Sequence, residues 1–318
     1  MQTSTQTLRM GRPEWLMLMV LSVLWGGSFF FAKVALAELG PLLLVLLRVA
    51  IAAIALGLIA RMLGHRIPSS PQLWKRFFIL GAINNLIPFS LLFWGQTHIG
   101  SGLASILTAI VPVFTVLVAH AATSDERITP AKSLGVGFGV LGVTVMIGLD
   151  LHSGHDWLWL GAMLACLVAA LCYALATVYG RSFRACGLPP LIIAFGQVSA
   201  TSVMMLPIAL AVEQPWQLAM PSTATIGAVL GLGLLSTALA YVLFFRILDR
   251  GGATNLSLVT FLIPISAIAL STALLGEQLH LSHVLGMLLI FVGLAVLDGR
   301  LWRLVFRPAP IKACAQSC

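Results

Sequence analysis

Residues 89–112, FSLLFWGQTHIGSGLASILTAIVP, and residues 241–264, YVLFFRILDRGGATNLSLVTFLIP, carry the same punctuation. Phe89 stands 23 residues before Pro112, and Tyr241 stands 23 before Pro264. Gly100 and Gly252 each precede their proline by 12. Downstream, Glu126, Gly135 and Gly142 are spaced 9 and 7, and so are Glu277, Gly286 and Gly293. One residue of slip separates each proline from its glutamate. An ordered series of this kind is an internal repeat, the feature to settle before any other.

The chain around the repeat is built for lipid. Hydrophobic residues make up 59% of the 318 positions and Asp, Glu, Lys and Arg only 9%, against about 25% charged in a soluble domain. With a mean hydropathy of +1.03, too little polar surface remains to wrap a globule in water. Charges and turn residues divide the apolar mass into ten segments: 15–35, 41–60, 77–95, 101–121, 132–149, 158–179, 189–212, 224–245, 253–274 and 281–299. Each is expected to be a helix, because the bilayer core offers the backbone no other partners and no barrel-type alternation is visible.

The net charge of +8 is not gathered into a nucleic-acid patch. Sixteen of the 18 Lys and Arg residues fall on one set of alternate loops and the tails: Arg9, Arg12, Arg61, Arg66, Lys75, Arg76, Arg127, Lys132, Arg181, Arg184, Arg246, Arg250, Arg300, Arg303, Arg307 and Lys312. Lys33 belongs to the other side, and Arg48 lies within the second segment. The positive-inside rule then places both termini in the cytoplasm. Trp15, Trp74, Trp157, Trp159, Trp216 and Trp302 fall at segment ends, as an interfacial belt does; Trp25 is mid-segment. The five cysteines, Cys166, Cys172, Cys186, Cys314 and Cys318, include no CxxC and read as apolar side chains rather than a disulfide or zinc framework. No Walker, HExxH or GxSxG motif occurs, so no cofactor or metal is expected.

Five spans per half is an odd number, so the second half must run opposite to the first. The fold expected is an all-α membrane protein of ten transmembrane helices arranged as two inverted five-helix repeats, an architecture of secondary transporters. Segments 1–14 and 300–318 are read as cytoplasmic ends around repeats at 15–149 and 157–299. With LWGGSFFFAKVAL (24–36), LLRVAIAAIAL (46–56), ILTAIVPVFTVLVAHAATSDERIT (106–129), STALAYVLFFRILDRGGATNLSLVTFLIP (236–264) and LLGEQLHLSHVLGMLLIFVGLAVL (274–297), the chain resembles the drug/metabolite transporter superfamily with two tandem EamA-type domains. The resemblance covers about 15–299. Its weakest stretch is CYALATVYG (172–180), which lacks a counterpart of Trp25-Gly26. The resemblance implies outward movement of small metabolites, amino acids or drugs across a bacterial inner membrane, without naming a substrate or coupling ion.

Arg48 is the one fixed charge well inside a span. Such a residue faces a cavity or a partner, here a carboxylate on a substrate or Glu38. Asn84 and Asn85 are adjacent in span 3, and their side chains diverge by about 100°, so at least one turns inward. Trp25, Ser28, Tyr173, Gln197, Tyr241 and Asn255 complete the polar and amphipathic side chains of the spans. Pro112 and Pro264, repeat-equivalent and mid-span, read as a pair of hinges. The repeat glycines read as close helix contacts. Glu126 and Glu277 read as caps of the helix that follows each.

The leading reading is a secondary carrier of a small molecule, with a polar cavity near mid-depth. A lipid flippase stands beside it, opening sideways between helices. A membrane-embedded enzyme would need a nucleophile–base pair or metal cluster at one depth, and none is visible.

Overall fold

The computed structural model describes residues 11–122, 128–151 and 156–298, and these are helical with no strand. The expectations for Arg9, Glu126, Arg127, Trp302, Cys314, Cys318 and the basic tail fall outside the described residues. The spans are α1 Arg12–Ala35, α2 Pro41–Met62, α3 Pro71–His98, α4 Ser101–Ala122, α5 Pro130–Leu151, α6 Trp157–Phe183, α7 Pro190–Glu213, α8 Thr223–Leu248, α9 Val259–Leu275 and α10 Leu281–Asp298. Among the described residues nine are long and apolar enough to cross a bilayer, and the 17-residue α9 is the tenth. Proline stands in the first two positions of α1, α2, α3, α5 and α7, where its missing N–H would have no partner anyway.

Three elements depart from the sequence reading. Helix α3 begins at Pro71, six residues before the expected start at 77. The charged Lys75 and Arg76 sit exposed in its first turns. The fourth span is two pieces, Ser101–Thr108 and Val111–Ala122, because Pro112 cannot donate to the carbonyl one turn back. The ninth is shorter than expected. Gly252 adopts φ 77°, a single turn forms at Ala253–Leu256, and the continuous helix starts only at Val259. Pro264 lies inside that helix, whereas its repeat mate Pro112 sits just after a break.

The packing has two-fold symmetry. Helix α1 packs on α9 and α8, as α6 packs on α4 and α3; α3 packs on α7, as α8 packs on α2. The pairs α2–α7, α4–α9 and α5–α10 join counterparts directly. Exchanging the first five helices for the last five leaves this set of contacts unchanged, which is the repeat expressed in three dimensions. The contact between α5 and α10 is the most extensive. A Cβ on Gly142 would lie 2.7 Å from the Gly286 carbonyl oxygen, and one on Gly293 would lie 2.6 Å from that of Gly135. The repeat glycines therefore bring two backbones together, the usual currency of helix association in lipid.

The loops at the end bearing Arg12, Arg61, Arg66 and Arg250 form a basic face. At the opposite, charge-poor face the few charges tie helix ends together. Glu213 at the end of α7 accepts the backbone N–H groups of Leu42 (2.8 Å) and Leu43 (2.7 Å), at the start of α2. Glu277 accepts those of Ser101 (2.8 Å) and Gly102 (3.0 Å), at the start of α4. The expected cap on the following helix is thus made on an earlier one. Asp156 caps α6 through the Trp159 N–H. Glu38 accepts the Ser222 N–H (2.6 Å) at the start of α8, and hydrogen bonds from Ser222 hold its carboxyl below the usual carboxylate range. Lys33 does the converse, donating to the carbonyls of Gln96 (2.7 Å) and Ile99 (3.0 Å) at the end of α3. Each charge meets the helix end whose partial charge it opposes.

Candidate functional site

Both α3 and α8 are interrupted by π-helical turns, at Ala82–Leu86 and Gly231–Leu239. With Phe89 matched to Tyr241 the offset is 152 residues, and it sets Asn84 against Ser236 and Asn85 against Thr237. Both π turns therefore carry two adjacent polar residues at the same place in the repeat. A π turn widens the helix and loosens its hydrogen-bond ladder, and it recurs at functional sites. Here it turns both asparagines inward, where the sequence demanded only one.

Helices α2 and α7 cross beside these turns. A Cβ on Gly233 would lie 3.3 Å from the Arg48 carbonyl oxygen, and one on Gly81 would lie 2.7 Å from that of Gln197. The two glycines let the π turns approach the backbones of α2 and α7.

Arg48 lies seven residues into α2 and is buried, about 10 Å along the helix. Its Nε donates to Thr237 Oγ1 at 3.0 Å, and Thr237 Oγ1 donates onward to the Leu232 carbonyl at 2.8 Å. The guanidinium carbon lies 3.9 Å from the centroid of the Phe89 ring, which Tyr173 meets edge-on. The ring face supplies the electrostatic attraction of a cation–π contact. Among the described residues, Arg48 has no carboxylate partner and its two terminal nitrogens make no hydrogen bond. Glu38, the alternative partner, is engaged with Ser222 instead.

Across the crossing, Asn84 Nδ2 donates to Gln197 Oε1 (2.8 Å), and Gln197 Nε2 donates to the Tyr241 hydroxyl (3.0 Å). Asn85 Nδ2 reaches Thr201 Oγ1 at 3.4 Å. The buried Asn85 Oδ1 and Ser236 Oγ have no hydrogen-bond partner, an unusual condition for interior polar atoms. One orphan lies in each π turn. At the crossing, Asn84, Gln197 and Tyr241 bond one another. A recess of ≈ 290 Å³ opens at the charge-poor face, lined by His98, Trp159, Glu277, His280 and His283 among others, and Arg48 is not part of its lining.

The structure thus brings together Arg48, Asn84, Asn85, Tyr173 and Tyr241 from the sequence-derived set. Trp25 reaches the group through a ladder of rings, packing on Phe244 at 5.6 Å, which meets Phe245, which stacks on Tyr241. Ser28 bonds the Trp25 carbonyl of its own helix (2.7 Å), and Asn255 bonds the Gly251 carbonyl (2.7 Å) near the start of α9. Among the described residues, Ser28 is not joined to the cluster. Thr237, Phe89 and Thr201 were not anticipated. The signal for Thr237 was present: the 152-residue offset carries Asn84-Asn85 onto Ser236-Thr237.

The profile of the EamA-like transporter family matches residues 13–148 and again 159–297. The chain belongs to the EamA-like transporter family and is a multi-pass membrane transporter. A Bacillus subtilis protein described as uncharacterized transporter YoaV is 28% identical over 285 residues, covering 87% of this chain and 94% of its own. A probable terminal-alkyne amino-acid exporter of Streptantibioticus cattleyicolor is 30% identical, over 85% and 88% of the two chains. A probable amino-acid metabolite efflux pump of Escherichia coli is 26% identical, over 92% and 98%. A solved crystal structure shares the fold, with a TM-score of 0.64 at 18% identity over 89% of this chain and 96% of that one.

Proposed function

We propose that the protein is a secondary carrier of the bacterial inner membrane that exports a small metabolite bearing a carboxylate, of amino-acid type, with both termini in the cytoplasm. The observation that carries this reading is Arg48: a buried cation with two terminal nitrogens uncommitted and no carboxylate beside it. A substrate carboxylate supplies the two acceptor oxygens that a guanidinium fork accepts side by side. The orphaned oxygens of Asn85 and Ser236 offer acceptors to donors on the same substrate. The names of the Streptantibioticus and Escherichia relatives fit a substrate of that class.

Two inverted halves supply two related arrangements, open to one side or the other. The hydrogen bonds among Asn84, Gln197 and Tyr241 join α3, α7 and α8 across the halves. A substrate that replaces them releases the halves to rearrange, and Pro112 and Pro264 are the positions about which α4 and α9 bend. The experiment is counterflow in liposomes of purified protein preloaded with single amino acids or their amides. Saturable exchange of the free acids, lost at least about 10-fold in Arg48→Ala and absent for the amides, supports the reading. Equal flux of acid and amide, or full flux in Arg48→Ala, would sink it.

A further inference from the structure

The surface of α2 that faces away from the core carries a groove that the transport site does not use. It occupies ≈ 360 Å³ and is lined by Ile54, Gly57, Leu58, Arg61, Ile67 and Phe195, with Ala53 at its far end. Positions 53, 54, 57, 58 and 61 follow one face of a helix for two turns, about 12 Å. Phe195 of α7 forms the second wall, and a Cβ on Gly57 would lie 2.9 Å from its ring. Ile54 and Leu58 are 66% and 58% exposed, and Ile67 closes the lower edge from the α2–α3 loop. The groove is apolar along its length and ends on the exposed guanidinium of Arg61, at the basic face.

The two-fold symmetry of the fold does not require this feature. Arg48 and Gln197 fix an offset of 149 between α2 and α7, which sets Leu206 against Gly57 and Leu210 against Arg61. Where the first half has a notch and a cation, the second has two leucines.

We infer that this groove binds one anionic phospholipid from the leaflet at the basic face, an acyl chain lying along Gly57 and Phe195 and the phosphate on Arg61. The length and apolar lining fit a chain segment, and the one cation in that lining, Arg61, fits a single phosphate. A basic residue at the interface contributes on the order of 1 kcal/mol toward anionic lipid, equivalent to about 5-fold in affinity.

The test is native mass spectrometry of delipidated protein titrated with phosphatidylglycerol or with phosphatidylcholine of the same chains. The expected result is one tightly held lipid, with phosphatidylglycerol preferred about 5-fold. Arg61→Gln removes the preference and leaves chain binding, Gly57→Leu removes the bound lipid, and Arg66→Gln changes neither. Arg61 is exposed, so its variant keeps the proposal testable even where Gly57→Leu fails to fold. Equal adducts of both lipids on the unaltered protein, or an unchanged preference in Arg61→Gln, overturns it. So does a dimer that forms on delipidation and excludes lipid, since a second copy would then be the occupant.

Discussion

Arg48 on α2 and Gln197 on α7 occupy the same place in the two halves: the carbonyl of each faces a repeat-equivalent glycine of the opposite half, Gly233 within one π turn and Gly81 just before the other. Their surroundings correspond. Arg48 lies on Phe89, and Gln197 bonds Tyr241, the repeat mate of Phe89. Phe89 stacks on Phe93 at 6.2 Å, and Tyr241 stacks on Phe245 at 6.1 Å. The site is symmetric in geometry and asymmetric in charge, a cation facing a neutral amide.

That asymmetry sets the first expected outcome. A buried charge with no counter-ion carries a desolvation cost that nothing repays, and an apolar side chain of similar size does not carry it. Arg48→Met is therefore expected to melt at or above the temperature of the unaltered protein while its transport of carboxylates falls at least about 10-fold. Loss of both folding and flux would make Arg48 a structural residue.

The amide network makes a smaller and separable contribution. Hydrogen bonds between transmembrane helices average about 0.6 kcal/mol and reach about 1.7 in double-mutant cycles. A cycle of Asn84→Leu and Gln197→Leu, read by unfolding in detergent, is expected to give a coupling in that range. A coupling of zero would mean that the 2.8 Å contact between them contributes nothing.

The glycines of α5 divide into two kinds. A side chain on Gly142 meets the Gly286 carbonyl, whereas one on Gly137 meets nothing within 4 Å. Gly142→Val is expected to destabilise by about 1–3 kcal/mol through overpacking, and Gly137→Ala to hold or raise the melting temperature, since alanine is the better helix former. Similar effects at both positions would refute the backbone-to-backbone contact between α5 and α10.

Glu38 gives the pH dependence. Its carboxyl titrates lower in the folded protein than in the unfolded chain because Ser222 donates to the charged form. The tie is complete above the ordinary carboxylate range and is lost as pH falls through the lowered value. The melting difference between the unaltered protein and Glu38→Gln is therefore expected in full at neutral pH, to begin shrinking below about pH 4, and to vanish only below the lowered value. A difference that persists in acid would assign the effect to something other than charge.

The ten helices were legible because lipid leaves the backbone one solution, and their inversion because the Pro, Glu and Gly spacings recur in two halves of five spans, an odd number. Arg48, Asn84 and Tyr241 were legible because a polar group in an apolar span needs a reason. Thr237 and Phe89 were not. A threonine bonds its own helix cheaply, and a phenylalanine in lipid is ordinary, so neither stands out until a guanidinium lies against both. The break in α9 was hidden as well: 253–274 carries no charge, and only the positive φ of Gly252 and the late start at Val259 show where the helix is interrupted. Ser28 qualified by residue type but spends its hydrogen bond on its own helix, at the Trp25 carbonyl.

The ties at the charge-poor face bear on how the chain is made. The amino end of α2 is capped by Glu213, about 170 residues later, and that of α4 by Glu277, about 175 later. During synthesis, both helices enter the bilayer with their first N–H groups unmatched, and each waits for a partner that the ribosome has not yet added. Lys33 finishes α3 early, from within the same half. Helices α2 and α4 are thus inserted before they are finished, and their completion is deferred until the ends of α7 and α9 arrive.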